Sequence, residues 1–413
     1  METTPPVIIV GGAMGGLRAA EALRKAGYAG ALTVIGQEVH APYNRPPLSK
    51  EVLSTVVTHA AVAFPQRAAT EDVEWIRGIE VIAADLDAHT VTTDDGVQRA
   101  WRALVIATGL RAKRLDLPSL PGRFSIRTLD DAIALRETLK EGCRLVVLGS
   151  GFLGCEVAAT ARKLGCEVTI VSPSELPIIR PLGRELAAEV QRRHESHGVR
   201  FRMGSSVTAL LGDSQVTGVV LDDGEQLDAD VLVEAIGSEC NDKWLDGTGL
   251  DISNGVLADT AMRAMSVDGT VHDDVYVVGD IARFPHLTFD DVPRRIEHWN
   301  IPTDTGKRVG TVLAAWLAHD GSFETAVAAP FTPMPTFWSV QFEIDLRAYG
   351  LPALADDIRL LEGDLAGNCV LGYYRDERMI GVVGLGMQAA LMPYRQLIAD
   401  GGTASTISSR SVT

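Results

Sequence analysis

The chain has 413 residues and a formal charge of 38 − 54 = −16. At about 150 residues per domain this is two to three domains, with a core large enough to enclose a cofactor. Its 46% hydrophobic and 22% charged residues exclude wholesale disorder, its acidity argues against nucleic-acid binding, and no segment approaches the roughly 18 apolar residues of a membrane helix.

In chain order, Val7-Ile8-Ile9-Val10 is a short apolar run of the kind found in buried parallel strands. No basic region leads into an apolar signal segment ahead of it, so a cytoplasmic location is expected. Gly11-Gly12-Ala13-Met14-Gly15-Gly16 follows, then a helix over Leu17 to Lys25 ended by Gly27, then a strand Leu32-Thr33-Val34-Ile35. Strand, Gly-rich turn, helix and strand in that order make a dinucleotide-binding unit. Glycine suits the tight turn and lets the backbone approach a pyrophosphate, which sits on the helix N-terminus. Ala13 stands where GxGxxG has its middle glycine.

Ala103 to Ile106 is a further apolar strand, ending in Ala107-Thr108-Gly109. Arg144 to Leu148 then leads into Gly149-Ser150-Gly151-Phe152-Leu153-Gly154, with a helix from Cys155 to Leu164, Gly165 to end it, and a strand Glu167 to Val171. This second unit carries all three motif glycines. Two such units suggest two dinucleotides, usually FAD and a nicotinamide cofactor. Asp274 to Val278 is another strand, ending in Gly279-Asp280, where a carboxylate can accept hydrogen bonds from a polyol. Thr336 to Tyr349 reads as one long half-buried strand, with Val340, Phe342, Ile344 and Leu346 alternating with polar residues. A hairpin around Arg375 to Arg378 and a helix near Gln388 to Ala399 follow. The small, polar tail from Gly401 to Thr413 is expected to be mobile.

Five widely spaced cysteines, Cys143, Cys155, Cys166, Cys240 and Cys369, do not form a disulfide framework, and no CxxC pair exists. No metal site is expected. His194 and His197 could sit on adjacent helical turns, and a solvated helix face is the favoured reading over a metal site.

Together these segments resemble the FAD-dependent NAD(P)H:ferredoxin reductases of bacterial oxygenase systems. The residues that carry the resemblance are Pro42 to Lys50 (PYNRPPLSK), Ile126-Arg127-Thr128, the Gly149 to Gly154 unit followed by Glu156, Gly279-Asp280, Arg294 to Trp299 (RRIEHW) and Phe337-Trp338-Ser339. The implied fold is α/β: two Rossmann-like dinucleotide-binding domains of the glutathione-reductase type plus an α+β C-terminal domain. The implied boundaries are 1–112 and 246–322 for a discontinuous FAD domain, 113–245 for an inserted NAD(P) domain, and 323–413 for the C-terminal domain.

The resemblance also implies roles. Gly11, Ala13, Gly16, Glu38, Arg45, Lys50, Ala107, Thr108, Gly109, Arg127, Gly279, Asp280, Glu297, His298 and Trp299 would hold FAD. Gly149, Gly151, Phe152, Leu153, Gly154, Ser172, Arg180 and Gly237 would hold the nicotinamide cofactor. Lys50, Glu156, Glu297 and Trp338 would surround the reacting centre, with Lys50 able to pair with Glu156 and Trp338 on the side where an acceptor docks. Without the resemblance, Trp338 is a core aromatic, Glu156 a helix-start carboxylate and Lys50 a solvated cation.

Some positions depart from the family. Gln37 stands where an acid often holds the FAD ribose, and neighbouring Glu38 can substitute. Ser172, followed by Pro173, stands where NADH-preferring members carry an acid for the ribose 2′-hydroxyl. Cys240, Pro302, Thr305 and Val340 replace Pro, Ala, Gln and an acid. The disulfide reductases of this fold carry a CxxxxC pair beside the flavin; the first cysteine here is Cys143, which excludes that chemistry.

Three functions follow. The first is a ferredoxin reductase, moving hydride from NAD(P)H to FAD and single electrons to a small iron–sulfur ferredoxin that feeds a cytochrome P450 or ring-hydroxylating dioxygenase. The second is a flavoenzyme acting on a small molecule or oxygen, and the third a non-enzymatic flavoprotein. The first requires cations near the flavin edge to meet an acidic ferredoxin, with Arg294, Arg295, Lys307, Arg308 and Arg347 as candidates. The sequence leaves the oligomeric state open.

Overall fold

A computed structural model describes residues 4–65 and 67–402. The expected mobile tail lies outside the described residues from 403 onward. The chain forms two compact units. The first comprises Met1–Asn44, His59–Arg111 and Cys240–Pro335; the second comprises Arg45–Thr58, Ala112–Glu239 and Thr336–Thr413.

The first unit is built on a six-stranded sheet in the order Arg263–Met265, Val271–Val277, Ala103–Ile106, Val7–Val10, Leu32–Gly36, Glu74–Arg77. All pairings are parallel except the first, which is antiparallel. Val7–Val10 and Ala103–Ile106 are fully buried along their length, as apolar strands covered on both faces must be. Helix Met14–Lys25 crosses from the first strand to Leu32–Gly36. It packs on the 18-residue helix Ile301–Ala318. The approach is close because Gly306 and Gly310 present no side chain there. A Cβ on Gly310 would lie 2.4 Å from Cβ of Ala22, and one on Gly306 would lie 3.0 Å from the Ala19 nitrogen.

The second unit holds a five-stranded parallel sheet in the order Arg200–Met203, Glu167–Ser172, Arg144–Leu148, Val231–Glu234, Arg123–Ser125. Val146, Leu148, Val171 and Leu232 of this sheet share a core with Val216, Val219, Leu221 and Ala229. Glu234 lies in it at 1% exposure. Arg123 neutralises it through two N–H···O bonds of 3.0 Å, and the Leu115 amide donates to it at 2.8 Å.

The same unit contains a five-stranded antiparallel sheet in the order Thr336–Gln341, Ile344–Gly350, Arg378–Leu385, Cys369–Arg375, Asp357–Gly363, followed by helix Leu391–Ala399. The hairpin between Arg375 and Arg378 is as the sequence suggests. The long strand is not. Residues 336–350 form a hairpin whose turn is Phe342-Glu343, with Phe342 at φ 53°. The two-residue turn shifts the phase of burial. Phe337, Ser339 and Gln341 face inward before it, and Ile344, Leu346 and Ala348 after it. Val340 is therefore exposed instead of sharing a face with Ile344. The apolar alternation 340-342-344-346 crosses a turn that no Gly, Asn or Pro marks.

Candidate functional site

In the first unit the Gly-rich turn closes without spare room. A Cβ on Gly11 would meet the Ala107 carbonyl oxygen at 2.1 Å, and one on Gly16 the Gly11 oxygen at 2.0 Å. Gly11 also has φ 120°, a region open chiefly to glycine. Ala13 is the N-cap of Met14–Lys25 in extended backbone, at φ −93° and ψ −161°, and no side chain caps that helix. Its first amides are thus left for an anion.

At the end of Leu32–Gly36, Gln37 is exposed and bonded to Glu80, while half-buried Glu38 accepts a hydrogen bond from the Tyr43 hydroxyl. Of the two, Glu38 is the carboxylate held inward. Thr108 is fastened through its hydroxyl to the Asn241 carbonyl at 2.7 Å, and Asn241 returns an N–H to the Thr108 carbonyl. Gly279 takes φ 82°, and its amide donates to the Thr305 hydroxyl at 3.0 Å. Thr305, one of the departures, thereby ties the Gly279-Asp280 turn to helix Ile301–Ala318. Pro302 sits in that helix's first turn, where no N–H is missed.

Ahead of this helix, exposed Glu297 pairs with Arg295 at 2.8 Å, and Trp299 donates its indole N–H to Asn44 at 2.9 Å. Burial pushes His298 down to about 4, so its ring is neutral at neutral pH.

In the second unit the turn repeats the pattern. A Cβ on Gly149 would meet the Ala235 oxygen at 2.3 Å, and one on Gly154 the Gly149 oxygen at 2.1 Å. Gly151, the N-cap of Phe152–Lys163, faces open space, and again no side chain caps the helix. Ser172 is buried at the end of its strand and accepts a hydrogen bond from Ser150 within the turn, at 2.9 Å. Arg180 is exposed, in the short helix Ile179–Leu182. Gly237, at φ 103°, faces open space, and its carbonyl accepts from the Lys113 amide. The Phe152 ring lies 4.9 Å from that of Phe337, and Leu153 follows it in the first turn of the helix. Trp338 is half-buried, opposite Arg347 across the hairpin.

Arg45 donates to the Arg127 carbonyl, and Arg127 precedes a capping box in which Thr128 and Asp131 satisfy each other's amides. Lys50 and Glu156 do meet, with Nζ 2.5 Å from Oε2. Glu156 is 8% exposed and receives two further hydroxyls. Ser49 donates to Oε2 and Ser339 to Oε1, both at 2.6 Å. One turn on, Thr160 donates to the Ser49 carbonyl at 2.8 Å. Ser49, Thr160 and Ser339 were not among the expected site residues, although Ser49 and Ser339 lie inside the PPLSK and FWS blocks. Ser49 lies in the helical turn Pro46–Ser49, Thr160 in helix Phe152–Lys163 and Ser339 on a strand, and no local pattern marks any of them.

Two expectations are corrected. His194 does not lie on a solvated face; it is fully buried in the second unit, with Nε2 2.7 Å from Oε1 of Gln341, because the hairpin packs onto its helix. Of the proposed docking cations, Arg308 is the one that burial withdraws. Arg308 is buried and donates to the Thr260 and Val327 carbonyls, Arg294 pairs with Asp290, and Lys307 lies 3.5 Å from Asp304.

Both turns therefore suit a dinucleotide: each is tight where the backbone closes and uncapped at the helix end, and the second is open at Gly151. The architecture defines a two-dinucleotide flavin oxidoreductase. The chain belongs to the pyridine nucleotide-disulphide oxidoreductase family, whose model matches residues 5–306, and a reductase C-terminal model matches residues 336–408. The family binds FAD and uses NAD(P)H.

The chain is 36% identical to the ferredoxin reductase component of chlorobenzene dioxygenase from Cupriavidus sp. (strain PS12), over 76% of this chain and 75% of that one. It is 30% identical to putidaredoxin reductase from Pseudomonas putida, over 97% and 93%. The reductase in the crystal structure of the covalent putidaredoxin reductase–putidaredoxin complex superposes with a TM-score of 0.88, at 28% identity, over 97% of this chain and 94% of that one. Among the described residues no helix is long and apolar enough to cross a membrane.

Proposed function

We propose that this protein is a cytoplasmic ferredoxin reductase, drawing hydride from NAD(P)H and delivering single electrons to a small iron–sulfur ferredoxin that serves a cytochrome P450 or a ring-hydroxylating dioxygenase. Bound FAD supplies the conversion between two-electron and one-electron transfer. One observation carries the reading: two uncapped dinucleotide turns occur in a chain whose first cysteine is Cys143, so no disulfide beside the first turn can take the electron pair.

The chain's own residues then have defined tasks. The amides behind Ala13 and Gly151 bind pyrophosphate. Glu38 and Asp280 would offer carboxylate acceptors to the FAD sugar and polyol, and Arg45 and Arg127 would offer guanidinium donors to its phosphates. Lys50 neutralises Glu156 in the free protein and would give way when the nicotinamide pocket is filled. Glu156 then orients the nicotinamide, and neutral His298 keeps positive charge away from its surroundings. Trp338 lies on the acceptor side.

A second reading, direct reduction of a small molecule or dioxygen, is favoured by the burial of Arg308 among the docking cations. Anaerobic titration of the FAD-loaded protein with NADH and with NADPH separates the readings when ferredoxins are then added. Bleaching by either coenzyme followed by ferredoxin reduction is expected. Bleaching without delivery to any ferredoxin would favour the second reading, and no bleaching by either would sink both.

A further inference from the structure

The Lys50–Glu156 pair is the near end of a longer buried chain of side chains within the second unit. Ser339 donates to Glu156 Oε1 at 2.6 Å. Gln341 Nε2 donates to Ser339 Oγ at 2.9 Å. Gln341 Oε1 lies 2.7 Å from His194 Nε2. Ser339 and His194 are 0% exposed, and Gln341 is 1%. Alternate residues of one strand, Ser339 and Gln341, thus point inward and join two helices, Phe152–Lys163 and Arg184–Ser196.

The chain has only one consistent direction. The Gln341 carbonyl can only accept, so His194 carries its proton on Nε2 and donates. The Gln341 amide nitrogen can only donate, so Ser339 Oγ accepts from it and must spend its own proton on Glu156. His194 Nδ1 is buried and has no hydrogen-bond partner among the described residues. A second proton there would be unsatisfied, and burial holds the ring neutral. Phe201 and Phe342 meet the His194 ring edge-on and exclude water from it. A serine needed only for packing requires no such backing. Three buried polar side chains in series are costly unless every member is satisfied, and here they fix where one hydroxyl proton points.

We propose that Ser339, Gln341 and His194 are positioning residues that hold the Glu156 carboxylate in place for the nicotinamide after Lys50 has been displaced. The inference rests on the reading of Glu156 as a nicotinamide-pocket residue. In the free protein Lys50 and the two serine hydroxyls share the carboxylate. Once Lys50 is displaced, Ser49 and Ser339 alone keep both oxygens oriented, and only Ser339 is itself held by a directional chain. Nicotinamide affinity therefore depends on residues that do not touch the coenzyme.

The test uses the FAD-loaded full chain, calorimetric titration with NAD+, and steady-state kinetics with NADH. Ser339→Ala removes the donor. Gln341→Glu keeps the shape but, as a carboxylate, can only accept, so it turns the Ser339 proton away from Glu156. Each is expected to weaken NAD+ binding and raise KM for NADH about tenfold, the order of one charged hydrogen bond. Saturating kcat should change less than about twofold, and the thermal midpoint and FAD content should be retained in at least one of the two variants.

Both substitutions are then repeated in a Glu156→Gln background, where their effect on NAD+ binding should vanish. An undiminished effect there would mean a structural role and overturn the proposal. An unchanged affinity in Ser339→Ala and Gln341→Glu, with Glu156→Gln itself weakened, would overturn it while leaving the reading of Glu156 intact. An unchanged affinity in Glu156→Gln would remove that reading, and the proposal with it.

Discussion

Gly11 to Gly16 and Gly149 to Gly154 close the same strand–turn–helix path with the same two contacts. In each, the first glycine faces a carbonyl oxygen of a neighbouring strand's end, and the last glycine faces the carbonyl of the first. They differ at the N-cap, which is Ala13 in one and Gly151 in the other. Both N-caps are extended, at φ −93° and −72°, a region any residue adopts. The backbone therefore does not require glycine there; only the approach of a ligand does. The comparison separates the glycines that build the turn from the one that leaves space for what binds it. The sheets behind the turns differ too. The innermost strands of the first are wholly apolar, whereas the second carries buried Glu234 and Ser172 at the ends of two of its strands.

The harshest way to break the comparison is at the closing glycines. Gly149→Ala puts a methyl against the Ala235 oxygen in a backbone at φ 96°. It should cost more than about 4 kcal/mol, read as loss of the cooperative transition in thermal unfolding. Arg123→Ala strands Glu234 in the second sheet and should cost about 3–5 kcal/mol in chemical denaturation, because a buried charge loses its partner. A cost below about 1 kcal/mol would mean Glu234 is solvated in solution.

Acid should act on both units through histidines whose pKa desolvation lowers: half-buried His298 and buried His286 in the first, buried His194 in the second. Their folded values lie below the ordinary 6.5, so the unfolded chain takes up protons first. The stability they contribute is complete above about pH 6.5 and falls as the pH drops toward 4, by about 3 kcal/mol for His298 alone. Denaturation midpoints measured between pH 7 and 4 check this, and His298→Gln should flatten the decline.

At the nucleotide itself, Ser172→Glu should raise the preference for NADH over NADPH about ten- to a hundredfold in kcat/KM, the worth of a charged hydrogen bond. An unchanged ratio would show that position 172 does not face the ribose. The mildest change sharpens the comparison most. Gly151→Ala adds a methyl in open space, so the thermal midpoint should hold within the roughly 0.5 kcal/mol typical of surface substitutions. Binding of NAD+ should weaken a few-fold. The second turn would then behave like the first, where Ala13 already carries that methyl.

Much of this was legible because it repeats over short distances. Val7–Val10 and Arg144–Leu148 are read from apolar runs, and the turns after them from glycine spacing. The Lys50–Glu156 pair was expected only through resemblance, since nothing local brings positions so far apart in the chain together. What escaped notice depends on tertiary contacts. The Phe342-Glu343 turn has no turn residue to announce it. Ser339 and Gln341 look like the solvent side of an alternating strand until the turn's phase shift places them inside. His194 looks like one polar residue among several on a charged helix until the hairpin covers it. Thr305 reads as a departure from the family, yet its hydroxyl anchors the Gly279 amide.

The division of the chain between its units has a consequence for synthesis. The first unit's sheet needs Val7–Val10, Ala103–Ile106 and Val271–Val277 together, and its last segment ends at Pro335. At about 5–20 residues per second a ribosome takes tens of seconds to cover that stretch. During this time the first strand, apolar on both faces, has been made but lacks its full set of neighbours. A nascent chain stalled before residue 240 should therefore recruit chaperones strongly, whereas one stalled beyond 335 should not.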